Sequence, residues 1–265
     1  MASENTTATM TTDFNIEQVP APWDTTSEAW WFTCYPITGN KKIYPGAVHP
    51  SNFEPGGDEG FEGGIGMIQI VRYSQTPVGP YDELIYIPGV YKTPHSPRPR
   101  YRITNIYVSS IETTYNGRKN WNIPKRLAVF DFSTSDTTGH TTISVAHPDT
   151  PTTPFFYAVV GNIPVVSSIP LPLNSKYFPL NLEAHQPPLL EGKKENGEVA
   201  TETWRSWTPW MSGTGRFVKC VEVKNGNGDG TWPDRIDGIW GMVLRWDPGM
   251  KMKFEVGKEY PKSNL

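Results

Sequence analysis

Asn116 to Phe130 reads NGRKNWNIPKRLAVF. Asn116-Gly117 predicts a tight turn. Lys119 follows, and then Lys125, set among Trp121, Ile123, Pro124, Leu127 and Val129. A lysine in so apolar a stretch has two readings. Its stem can lie along Trp121 while the ammonium reaches water. Alternatively the amine is buried, which disfavours the charged form and lowers the pKa, by up to about 3–5 units for a fully buried group. A neutral amine at pH 7 is a nucleophile that condenses with a ketone, and the resulting iminium withdraws electrons from the adjacent C–C bond. Pro124 fixes its own φ and holds Ile123 extended, so Lys125 is expected at a rigid corner. Were that corner to open a helical turn, the helix dipole would further disfavour the cation.

Outward from this stretch the signals are those of strands. Ile65 to Tyr73 (IGMIQIVRY) alternates, with Ile65, Met67, Gln69 and Val71 on one face and Gly66, Ile68, Ile70 and Arg72 on the other. Glu83 to Pro88 is a strand entered from the turn Gly79-Pro80-Tyr81-Asp82. Tyr101 to Ile111 is the strongest β segment. Leu127–Phe132, Thr141–Ala146, Phe155–Val160, Phe217–Val223 and Ile239–Trp246 complete the set. Asn225 to Gly230 is a turn. It lacks the acidic spacing and closing glutamate of a calcium loop. No amphipathic helix longer than about three turns is evident. The 26 prolines and 24 glycines leave little room for one. Many short strands at regular spacing point to a barrel or sandwich. Pro170–Leu190 is expected to be a long irregular connection, and Glu191–Glu202 an exposed loop. Apolar strands flank both, so residues 14–265 are taken as one domain behind a polar, Thr-rich tail of residues 1–13.

Gly117-Arg118 followed by Pro124-Lys125-Arg126-Leu127 resembles the acetoacetate decarboxylase pattern, Gly-Arg-Glu and then Pro-Lys-Lys-Leu. Val78-Gly-Pro-Tyr-Asp-Glu83 with Ile87-Pro88 resembles that family's segment carrying a pocket glutamate. The likeness runs from about Gly63 to Phe132 and looks closest to a fungal branch. It implies a mainly β, α+β fold: an antiparallel β-barrel with few short helices and long loops. It implies Lys125 as the Schiff-base lysine, Glu83 as the group that orients substrate or moves a proton, and Arg126 as a neighbouring cation. Tyr81, Trp121 and Gln69 are candidate substrate contacts, Gln69 standing where an acidic residue is expected. Lys119 replaces the glutamate of Gly-Arg-Glu. No N-terminal helix bringing an arginine to a substrate carboxylate is recognisable in Thr25 to Pro55.

The implied activity is that of a lyase of secondary metabolism, acting on a keto acid or polyketide-like metabolite by decarboxylation or aldol-dehydration. The iminium is its own electron sink, so no cofactor or metal is expected. The same pocket could instead promote a non-covalent cyclisation or isomerisation through proximity and orientation, or serve as a carrier for an apolar ligand. Relatives of this kind assemble into homo-oligomers.

Other classes are disfavoured. Net charge is −3 and no basic run occurs, which argues against nucleic acid. No stretch reaches the roughly 18 apolar residues of a membrane helix, and no secretory signal opens the chain; a cytoplasmic location is expected. His49, His95, His140, His147 and His185 never pair at metal-ligand spacing and are expected near the surface. Cys34 and Cys220 are expected as reduced thiols. The glycines from Gly56 to Gly66 lack the Gly-Lys-Ser/Thr of a phosphate loop and are expected to form a mobile loop beside the pocket.

Overall fold

The computed structural model describes residues 16–37, 43–53 and 59–261. Gly56, Gly57 and the tail at residues 1–13 lie outside them. The strands are β1 (Trp23–Ile37), β2 (Phe61–Gln75), β3 (Tyr81–Ile87), β4 (Val90–Thr93), β5 (Ser96–Tyr101) and β6 (Asn105–Val108). Helix α1 (Ile111–Trp121) separates these from β7 (Lys125–Leu127), β8 (Val129–Thr134), β9 (Thr141–Ala146) and β10 (Pro154–Asn162). The remainder are β11 (Leu171–Asn174), β12 (Ala184–Gln186), β13 (Trp204–Trp207), β14 (Pro209–Asn225), β15 (Ile239–Phe254) and β16 (Lys258–Tyr260). All join one 16-stranded sheet. Pairing is antiparallel except at β5/β12 and β6/β7.

β2 organises the interior. Its alternation puts Met67, Val71 and Tyr73 into one apolar cluster and Ile68 and Ile70 into another, as the period of two requires. The first cluster holds Trp23, Trp31, Trp121, Trp207 and Trp246. The second holds Trp30, Phe32, Phe156 and Trp232. Among the described residues the buried apolar side chains thus form two clusters, one on each face of β2, and the functional candidates other than Arg126 face the first.

Several local expectations are corrected. Asn116-Gly117 is not a turn but part of α1, because Ser110 caps the helix by accepting from the Thr113 N–H. Tyr101–Ile111 divides into the end of β5, β6 and the first helical residue. Gly63 and Gly64 lie in β2 rather than in a loop, at φ of 82° and 96°. Their backbone is left-handed, so the strand is bent there. Pro170–Leu190 contains two short strands, β11 paired to β14 and β12 paired to β13. In the segment expected to be exposed, Glu198 is buried at 2% exposure. His185 is also buried, held between Thr93 and Glu183. Both thiols are free; burial pushes that of Cys34 up to about 12.

Candidate active site

α1 ends at Asn122, whose left-handed backbone (φ 54°) turns the chain. The Asn122 N–H donates to Arg118 and the Ile123 N–H to Gly117, closing the last helical turn. Asn122 is fixed in turn by its side-chain amide, which donates to the carbonyls of Pro187 and Thr203 at 3.1 and 2.6 Å. Pro124 then directs the chain into β7, and the Lys125 N–H donates to the Ile123 carbonyl at 2.7 Å. β7 lies parallel to β6, with Lys125 opposite Ile106. Lys125 therefore follows a helix C-terminus and opens a strand. The corner opens no helical turn, so no N-terminal dipole acts on the amine.

The side chain of Lys125 runs back across α1. A Cβ on Gly117 would sit 2.7 Å from Lys125 Cδ and 2.8 Å from Cε, so glycine is required there for the stem to pass. The neighbouring Arg118 is completely buried and donates to the carbonyls of Val199, Leu190 and Lys125 itself. Burial and the nearby Arg126 push its pKa down to about 10. Gly117 and Arg118 thus act on the lysine from within a helix, one by leaving space and the other by holding its backbone.

Lys125 Nζ ends 2.7 Å from Glu83 Oε2, and both side chains are 4% exposed. It also donates to Thr113 Oγ1 at 2.8 Å and Tyr81 OH at 3.2 Å, and it lies 4.8 Å from the Tyr81 ring centre. Tyr73 OH donates to the other Glu83 oxygen at 3.3 Å. Tyr73 and Tyr81 are cross-strand partners whose rings stack 4.5 Å apart. Burial, with the Glu83 charge adding to it, holds both phenols above their ordinary range, even though Lys125 pulls Tyr81 the other way.

The expected depression of the lysine pKa is overturned. Burial does press it down, but the Glu83 carboxylate, Tyr81 and their hydrogen bonds together hold Lys125 above its ordinary value. The 2.7 Å contact has the geometry of an ion pair, and it favours the ammonium form of Lys125. A buried ion pair of this kind is maintained by close geometry and further hydrogen bonds rather than by net stabilisation.

Around the pair is a cavity of about 70 Å³, lined by apolar and aromatic side chains. Of the six residues singled out from sequence, five line it: Lys125, Glu83, Gln69, Tyr81 and Trp121. The Trp121 indole N–H is committed to the Glu255 carbonyl at 2.8 Å, so this residue offers the cavity apolar ring surface and no donor. Arg126 is not brought there. Successive residues of β7 face opposite ways, and the Arg126 guanidinium meets Glu198 at 2.6 Å, Asn52 and Ser51 on the far side. Thr113 and Tyr73 were missed. Tyr73 could have been found, since it shares the parity of Gln69 along β2. Thr113 could not, because the helix that places it one turn before Gly117 was unrecognised.

No protein-family model and no curated protein sequence matches the chain. Solved structures do. The acetoacetate decarboxylase of Legionella pneumophila superposes with a TM-score of 0.53 at 10% identity, over 91% of this chain and 88% of that one. A second acetoacetate decarboxylase gives 0.57 at 8% identity, over 94% and 93%. The chain has the acetoacetate decarboxylase-like fold. An acetoacetate decarboxylase-like enzyme from Sphingomonas wittichii RW1 gives 0.55 at 9% identity, over 98% and 100%. The mainly β architecture with few short helices expected from the sequence is the architecture of this fold.

Proposed function

We propose that this protein is a small-molecule enzyme of the lyase class in which Lys125 forms an iminium with a keto substrate. The observation that carries the reading is the Lys125–Glu83 contact, buried in an apolar cavity of a fold shared with decarboxylases.

The 2.7 Å contact gives the ammonium a place to put its proton. Transfer to Glu83 leaves a neutral amine, which adds to the carbonyl carbon; the C–N bond forms as the C=O π bond breaks. The added nitrogen passes a second proton to the alkoxide, giving a carbinolamine; Glu83 then returns the first proton to the departing hydroxyl, and water leaves as the nitrogen lone pair forms the C=N bond. The net change is ammonium plus ketone to iminium plus water, with charge conserved. Glu83 is then a carboxylate beside the iminium, placed to accept a proton from the α-carbon or to stabilise the cation. Tyr73 and Tyr81, kept as phenols, donate hydrogen bonds to oxygen without competing as bases. Arg126 has no part in this scheme.

A non-covalent reading is favoured by one feature, the raised pKa of Lys125. A fixed ammonium can polarise a carbonyl and orient a flexible intermediate for cyclisation or isomerisation. Borohydride reduction in the presence of ketones separates the two. The iminium reading expects the Lys125 peptide to gain the mass of the reduced ketone in the native protein and in Lys119→Met, and nothing in Lys125→Met. Lys119 is exposed on α1. Turnover by the native protein with no borohydride adduct at Lys125 would favour cyclisation.

A further inference from the structure

Among the described residues lining the cavity, only Glu83 and Lys125 carry formal charge, and they neutralise each other at 2.7 Å. The nearby guanidinium groups are spent elsewhere: Arg118 on three backbone carbonyls, Arg126 on Glu198. A substrate carboxylate entering this space would be a second anion beside a single cation. Condensation would not relieve it, since the iminium carries the same single charge as the ammonium. Burying a carboxylate without its own partner is strongly unfavourable.

Away from that pair, the polar groups lining the cavity include uncharged donors. Trp31 and Gln69 are Cα partners across β1 and β2, so they face the same way. The Trp31 indole N–H is buried without an acceptor among the described residues. Among the described residues the Gln69 amide makes only a 3.7 Å contact to the Met67 sulfur. Val71 is the β2 partner of Glu83, and Gln69 lies two residues further along. That is a diagonal position, with Cα atoms about 7–8 Å apart.

We infer that the site takes a neutral ketone with no free carboxylate, whose second oxygen accepts hydrogen bonds from Gln69 and Trp31. The inference rests on the proposed use of this cavity as the substrate site. Such a compound is polar at its two oxygens and apolar elsewhere, which matches the Met67, Ile85 and Met211 walls. It has no carboxylate to release as carbon dioxide. The iminium would therefore serve aldol cleavage, dehydration or ring closure, and decarboxylation is not the reaction.

Benzoylacetone and benzoylacetate test this, because they differ only in a methyl ketone against a carboxylate. Binding of each to the full chain is measured by titration calorimetry, and borohydride is then added to the same mixtures. Benzoylacetone is expected to bind at least ~10-fold more tightly. Gln69→Leu and Trp31→Phe should each weaken it about fivefold, the value of one lost hydrogen bond. Equal or tighter binding of benzoylacetate overturns the inference, as does no measurable binding of benzoylacetone or unchanged affinity in Gln69→Leu. Selective binding of benzoylacetone without a borohydride adduct upholds the inference and removes the iminium reading.

Discussion

Replacing Glu83 by glutamine removes one negative charge 2.7 Å from Lys125 and leaves shape almost unchanged. The ammonium then faces Thr113 and Tyr81 hydroxyls and an amide, with no counter-charge in contact. Breaking a buried pair from one side costs about 3–5 kcal/mol. In a chain of this size each kcal/mol moves Tm by about 2–4 °C, so Tm should fall by roughly 6–20 °C at neutral pH. The pH dependence has a definite sign. In the native protein the folded-state pKa of Lys125 is raised, so its contribution is full below the unfolded value of about 10.4 and disappears as pH rises through the folded one. In Glu83→Gln, burial acts without the carboxylate and the folded-state pKa falls below 10.4. The penalty is then greatest at low pH and shrinks as pH rises. The Tm gap between the two proteins should be wide near pH 6 and narrower near pH 10. Trace acetylation from pH 5 to 10, followed lysine by lysine with peptide mass spectrometry, reads the amine directly. Lys125 should label only at the alkaline end in the native protein and near neutrality in Glu83→Gln. Identical labelling curves, with a Tm change under about 1 °C, would mean that Glu83 does not hold the charge on Lys125.

Gly117→Ala puts a methyl group into the path of the Lys125 stem. It should cost about 1–3 kcal/mol and reduce borohydride trapping about tenfold or more, although Ala is the better helix former; native-like trapping would show that the stem has another route. Arg126→Met breaks the pair with Glu198 on the far side of β7. Its stability should drop by about 3–5 kcal/mol while the acetylation curve of Lys125 stays where it is. A shifted curve would restore Arg126 to the site.

The strands were legible where one face is apolar. β9 matches its expected span of Thr141–Ala146, and β2 shows its two faces in the alternation of Met67, Gln69 and Val71 against Ile68 and Ile70. α1 was not legible, because the side it buries is polar: Thr113, Asn116, Arg118 and Asn120 are interior residues that hydrogen-bond to side chains or backbone far along the chain. No apolar stripe of period 3.6 exists to be found. Asn116 shows the same effect. It looks like half of a turn, yet its amide accepts from the Val19 N–H at 2.7 Å and donates to the Glu17 carbonyl. Glu198 was read as exposed because its partner is 72 residues away. Lys125 and Glu83 were identified, but their mutual effect on charge was not, since 2.7 Å in space is 42 positions in sequence. Tertiary contact, rather than local pattern, decides each of these cases.

In the proposed reaction Lys125 puts its nitrogen in place of the oxygen of a ketone. Every iminium that forms and hydrolyses in heavy-oxygen water replaces that oxygen with one from solvent. Benzoylacetone incubated in such water and followed by mass spectrometry should therefore gain the heavy label faster with the native protein than with Lys125→Met, whose rate should match buffer. Equal rates with the two proteins, under conditions where calorimetry shows the ketone bound, would contradict iminium chemistry at this lysine.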